Sequence, residues 1–166
     1  MAALAAACVL GAPAGARAYE DQITLGLGIG YANFVARSQP ANGAVFDAVT
    51  SVGLSPVWTL RARLAYGLHP AQPPLHVGIA GLELLYLIDV VEVVPYFGIG
   101  VDGFGHARSG AVDVDAASHA VVGADYLLSR DMAIGLELRP YVLWTALDRD
   151  PAYLVAVATV TWLLPR

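Results

Sequence analysis

Few residues in this chain have side chains able to do chemistry, and most of them sit alone inside apolar or Gly-rich runs. Asp47, Arg61, Arg63, Glu83, Asp102, His119, Asp125, Glu137 and Arg139 form one such set. The stretch MAIGLELRPYVLW (132–144) shows its logic. Ile134, Leu136, Leu138 and Val142 alternate with Gly135, Glu137, Arg139 and Tyr141. In an extended strand, residues two apart share a face, so Glu137 and Arg139 point the same way. Opposite charges gathered on one face have two uses. They pair to fill a closed space, or they line a narrow ion path that opens when the pairs switch. Unpaired burial costs too much to be tolerated, so pairing is predicted. A hairpin closing at 69–75 puts Arg61 opposite Glu83, and the same counting across 106–116 makes Asp102 face His119. Glu137 and Arg139 then lie across from Arg61 and Arg63.

Other chemistries find less support. An acyl-transfer site needs a nucleophile within reach of a base. Ser118 has no acid or His on its own face, and His119 points the other way. A metal needs three or four ligands converging at about 2 Å, and nothing in the spacing of His69, His76 and His106 demands that. Neither catalytic residues nor a cofactor is expected. A net charge of −5 with no basic cluster excludes a nucleic-acid partner.

The elements that must position these residues are strands. Hydrophobic residues make up 57 % of the 166, charged residues only 14 %, and mean hydropathy is +0.60. Beyond the N-terminus no uninterrupted apolar run reaches the roughly 18 residues of a spanning helix. If the chain enters a membrane it must do so as a closed barrel. Period-two alternation begins at residue 22 and repeats in eight runs, including ITLGLGIGY, VWTLRARLAYGL, PYFGIGVDGF and HAVVGADYLL. Tight connections are predicted near Gly53–Ser55, Asp89–Val91 and Ser129–Asp131, with longer loops at 37–43, 69–75, 106–116 and 146–151. That alternation predicts an all-β fold, an eight-stranded antiparallel up-and-down transmembrane β-barrel with both termini at the short-turn end.

Orientation follows from the two faces. The apolar parity carries no charge in any strand core; the other carries the whole ionisable set among Gly and Thr. A soluble, lipocalin-like barrel would turn its greasy face inward. Here the charges suit a narrow polar lumen and the greasy face suits lipid. Aromatics on the greasy parity form two girdles: Trp58, Tyr86, Tyr126 and Trp162 near the short turns, and Tyr31, Tyr66 and Trp144 near the long loops. Trp58 to Tyr66 is ~26 Å along a strand, or roughly 20 Å of depth after a ~40° tilt. Pro140, inside a central strand, removes a ladder donor, which predicts a bulge or local widening. The start, MAALAAACVLGAPAGARAYED, is predicted to be a secretory signal over 1–18, ending in Ala16-Arg17-Ala18, with the barrel domain over 19–166. Cleavage there removes Cys8, the sole cysteine, so no disulfide or thiol chemistry is expected.

VVPYFGIGVDG (93–103) and LLSRDMAIGLELRPY (127–141) resemble the strand–turn–strand segments of the eight-stranded outer membrane β-barrel family, typified by the transmembrane domain of outer membrane protein A. The resemblance spans most of 22–164. It implies residence in a bacterial outer membrane, with loops extracellular and both termini periplasmic. It also implies contact with outer membrane lipids and lipopolysaccharide, and insertion by the barrel-assembly machinery, which reads a final aromatic. Here Trp162 is followed by Leu163-Leu164-Pro165-Arg166. The expectation is a monomeric, non-enzymatic structural or surface-interaction protein with a charge-filled lumen. A low-conductance pore and a lipid-modifying enzyme are the alternatives.

Overall fold

A computed structural model describes residues 23–35, 39–88 and 92–164. Eight antiparallel strands close on themselves in chain order: β1 Ile23–Phe34, β2 Asn42–Gly53, β3 Trp58–His69, β4 Leu75–Leu87, β5 Val93–Arg108, β6 Ala111–Leu127, β7 Met132–Leu143 and β8 Ala152–Leu164. β8 returns to pair with β1 from Ile23↔Leu164 to Phe34↔Tyr153. Closure removes the unpaired edges that an open sheet would present to lipid.

Register sets the barrel's shape. Stepping through paired residues from Leu25 leads to Thr50, Ala62, Leu82, Val101, Ser118, Val142 and Ala152. The circuit closes through the Val35 N–H bond to the Ala152 carbonyl at 3.1 Å. One turn thus climbs from Leu25 to Val35. With strands ~4.8 Å apart and ~3.3 Å per residue, that stagger tilts the strands by ~40°. The outer parity is exposed along each strand, with Ile99 at 69 % and Leu136 at 70 %. Glu83, Arg61, Glu137 and Arg139 are buried on the other parity. The fold places the greasy face outward and the charged face around the axis.

Two local expectations are corrected. The stretch 106–116 is not a loop. β5 and β6 continue as a paired ribbon to Arg108↔Ala111, turned by Ser109 and Gly110 at φ 55° and 84°. Two consecutive positive φ values make the mirror-image turn that matches the strand twist. The sequence there reads polar because the ribbon lies beyond the aromatic row: β4 follows β5 out to His76↔Ala107, while β6 runs on past its last pair with β7, Ala117↔Leu143. A side chain at Gly110 strains the left-handed backbone, so Gly110→Val is expected to cost ~1–2 kcal/mol in a urea melt. Pro140 produces no bulge either. Pairing is absent between Val122↔Leu138 and His119↔Tyr141, yet the register is the same on both sides. The strand keeps step and simply loses the contacts that its imide nitrogen cannot make. The turn predicted at Asp89–Val91, the signal segment 1–18 and residues 36–38 of the link before β2 lie outside the described residues.

Candidate functional site: the filled lumen

The lumen is built in three layers. At mid-height, six consecutive strands each turn ionisable side chains inward: Asp47 from β2, Arg61 and Arg63 from β3, Glu83 from β4, Asp102 from β5, His119 from β6, and Glu137 and Arg139 from β7. Inward glycines make the room. A Cβ at Gly100 would stand 2.3 Å from the His119 ring, and one at Gly81 2.2 Å from an Asp102 carboxylate oxygen.

Glu83 is the hub. It accepts from the Arg61 Nε–H at 2.5 Å, its Oε1 lies 3.0 Å from Arg63 Nε and from His119 Nε2, and Arg139 Nε is 3.6 Å away. Arg61 reaches across the axis and forks onto Glu137, with Nη1–Oε1 at 2.6 Å and Nη2–Oε2 at 3.2 Å. Two parallel bonds from one guanidinium fix orientation as well as charge. The Tyr96 hydroxyl donates to the same Glu137 carboxylate at 2.5 Å. Arg139 donates to both Asp47 and Glu137. Arg63 donates to Asp102 at 3.1 Å and to the Tyr141 hydroxyl, over whose ring it lies.

Arg61 and Glu83 are register partners. His119 pairs with Gly100 rather than with Asp102, two residues off the predicted facing, because the turn lies at Ser109-Gly110. The side chains still meet on the diagonal, His119 Nδ1 to Asp102 Oδ2 at 2.6 Å. Both ring nitrogens therefore face carboxylate oxygens, and only an imidazolium can donate at both. With His119 charged, four cations face the four carboxylates of Asp47, Glu83, Asp102 and Glu137. The layer balances. Asp125 lies toward the short-turn end, on the wall of a cavity of about 30 Å³ shared with Arg61, Tyr96 and Thr161. That space holds about one water molecule.

Apolar layers above and below this belt correct the expectation of a polar lumen. Toward the long loops, Phe34, Leu75, Val77, Phe104, Tyr141, Leu143 and Tyr153 pack into a buried cluster. Phe34 and Tyr153 ring centres are 4.5 Å apart, and Phe104 meets Tyr153 edge-on at 5.1 Å. His69 sits among them, Nε2 3.0 Å from the Tyr153 hydroxyl. Toward the short turns, Leu85, Leu87, Val94, Tyr96, Val121 and Leu163 form a second cluster. These residues share the parity of the charges, so period-two reading assigns them inward. Their position near strand ends, where no Arg needs space, is the signal that was available.

The histidines of the long-loop end stand apart. His69 is inside, His76 faces outward with Nδ1 2.6 Å from the Tyr66 hydroxyl, and His106 lies 3.5–3.6 Å from Asp113 and Asp115. Among the described residues no three His, Cys, Asp or Glu side chains gather as metal ligands. Ser118 faces outward and accepts from the Trp144 indole N–H at 3.0 Å. The aromatics fall in two rows. Trp58 packs on Tyr86 at 5.2 Å on the short-turn side, where Tyr126 and Trp162 also emerge. Tyr31, Tyr66 and Trp144 emerge near the long loops.

An eight-stranded closed barrel with an apolar outer band, aromatic rows at both rims and charges locked around its axis is a transmembrane architecture. The chain has the fold of the eight-stranded outer membrane β-barrels. Neisserial surface protein A superposes with a TM-score of 0.73 at 11 % identity, covering 84 % of this chain and 96 % of that one. The outer membrane protein OprG of Pseudomonas aeruginosa gives 0.64 at 8 % identity over 89 % and 98 %. Ail, the attachment invasion locus protein of Yersinia pestis, gives 0.62 at 10 % identity over 87 % and 99 %. No protein-family model and no curated protein matches the sequence.

Proposed function

We propose that this protein is a monomeric, non-enzymatic integral protein of a bacterial outer membrane that acts through its wall and its loop rim, not through its lumen. The long loops face outward from the cell and both termini face the periplasm. The observation that carries this reading is the layered filling of the lumen. A balanced belt of eight ionisable groups is capped on both sides by packed apolar clusters. An eight-stranded interior is about wide enough for side chains alone. The role is structural or one of surface interaction, with outer membrane lipids and lipopolysaccharide as the immediate neighbours and the barrel-assembly machinery as a partner during insertion.

The rim narrows the choice of ligand. Among the described residues its solvent-accessible charges are Asp113 and Asp148 against Arg108 and Arg149, Asp115 and Asp150 being buried. Ail has been solved with the heparin analogue sucrose octasulfate. A rim whose accessible charges balance offers no concentration of cations for such a polyanion.

Planar-bilayer recording tests the closed lumen. The purified barrel is expected to insert and give no steady single-channel openings. Regular openings that disappear in Arg61 or Glu137 variants would replace this reading with the low-conductance pore. Unchanged lipid A masses in cells with and without the gene are the expected result against lipid-modifying activity.

A further inference from the structure

β6 outruns the strand beside it. Its last pair with β7 is Ala117↔Leu143, yet it continues to Ala111 against β5. Strand geometry says which groups this leaves open. Leu127 N–H bonds the Glu92 carbonyl on the β5 side, while Leu128 N–H bonds the Met132 carbonyl on the β7 side. Odd residues of β6 thus turn their backbone groups to β5 and even residues to β7. The Ala116 N–H is taken by the Thr145 hydroxyl at 3.1 Å. Beyond it, the N–H and C=O groups of Val112 and Val114 meet no backbone partner on that side among the described residues.

This open edge stands clear of the apolar band. Ser118, bonded to the Trp144 indole, marks the upper aromatic row. On a strand tilted by ~40°, Val114 lies ~10 Å higher. Val112 and Val114 turn their side chains outward, 69 % and 74 % exposed. Sheets commonly guard such an edge with charge. Here the guard is Asp113 on the opposite face, its side chain 60 % exposed. Toward the open side Asp113 occupies a position without backbone bonds, where side chains on facing strands come closest.

A guard of one sign is selective. In a second copy laid antiparallel on the edge, any register that engages both valines sets Asp113 against Asp113 or Asp115. Like charges directly opposite are destabilising, and opposite charges there are stabilising. The edge therefore rejects its own copy and favours a strand that brings a cation.

We propose that the β6 edge binds an extended segment of a partner protein by strand addition, and that it selects Lys or Arg flanked by β-branched apolar residues. The proposal rests on the surface-interaction reading above and supplies the chemistry of the partner. The added strand bonds the backbone of Val112 and Val114, which gives affinity. Its cation faces Asp113 and its apolar side chains lie beside the two valines, which gives specificity.

Fluorescence anisotropy tests this on the barrel in neutral phosphatidylcholine vesicles. The probe is a labelled peptide with a central Lys between two Val residues and Thr outside them. It is expected to bind about fivefold more tightly than the same peptide with Glu in place of Lys, the scale of exchanging an unfavourable cross-strand pair for a favourable one. Methylating the backbone nitrogens of its two Val residues is expected to abolish binding. Val114→Pro removes an edge donor without touching the β5 ladder and is expected to do the same. Asp113→Lys is expected to reverse the order of the two peptides. No saturable binding of the Lys peptide, equal binding of both peptides, or indifference to methylation overturns the proposal, and none of these outcomes needs a protein variant. A wild-type dimer that Val114→Pro converts to monomer also overturns it, because the edge then takes a second copy. A barrel that inserts, stays closed and ignores the peptide strikes this inference alone. One that fails to insert strikes the membrane reading.

Discussion

Glu83→Ala is expected to lower stability by ~3–5 kcal/mol, the largest single effect available in the lumen. The carboxylate touches or approaches Arg61, Arg63, His119 and Arg139, and its side chain has no exposure. Removing it leaves four cations against three carboxylates in a space packed with apolar side chains toward both ends. The small cavity beside Arg61 has room for about one water molecule, too little to replace a carboxylate, and no neighbour can swing in, because Glu137 is already forked onto Arg61 and bonded by Tyr96 and Arg139. The measurement is urea unfolding in lipid vesicles, followed by tryptophan fluorescence. A loss under about 1 kcal/mol would show that the belt is hydrated and loosely coupled, and the closed-lumen reading would go with it.

Leu136→Arg is expected to cost ~2–4 kcal/mol in a bilayer, the depth-dependent price of a cation at mid-membrane on a barrel's lipid face. Leu136 stands 70 % exposed between Ala124 and Ala158, about midway between the aromatic rows. On a water-facing surface the same change would stay within about 0.5 kcal/mol. The two predictions are complementary. The first removes charge from a place that needs it, and the second adds charge to a place that cannot hold it. Wild-type stability in Leu136→Arg would mean that the greasy parity faces water.

Alternation alone makes the architecture readable. Arg61 with Glu83, and Glu137 opposite Arg61, follow from counting along strands whose connections are short. Three things escaped that counting, each for a physical reason. The 106–116 segment is polar because it rises beyond the apolar band, not because it leaves the sheet; composition reports the solvent, while backbone pairing reports the fold. Phe104, Tyr141 and Tyr153 look like ordinary strand aromatics, and only a closed cross-section shows that three strands aim them at one point. Pro140 was readable as a missing donor. Whether the chain answers by bulging or by keeping register depends on the neighbours. Here Arg139 and Tyr141, bound to Asp47, Glu137 and Arg63 on either side, hold it in step.

The belt draws on β2 through β7 alone. β1 and β8 bring Thr24, Gly26, Gly28, Gly30, Thr159 and Thr161 to the interior and no ionised group. The strands whose pairing closes the barrel, first to last, thus bring no ionised group to the lumen. During biogenesis the ion cluster can assemble on a curled, still-open sheet, and the final zippering of the chain's two ends neither breaks an ion pair nor drags a naked charge past the tails.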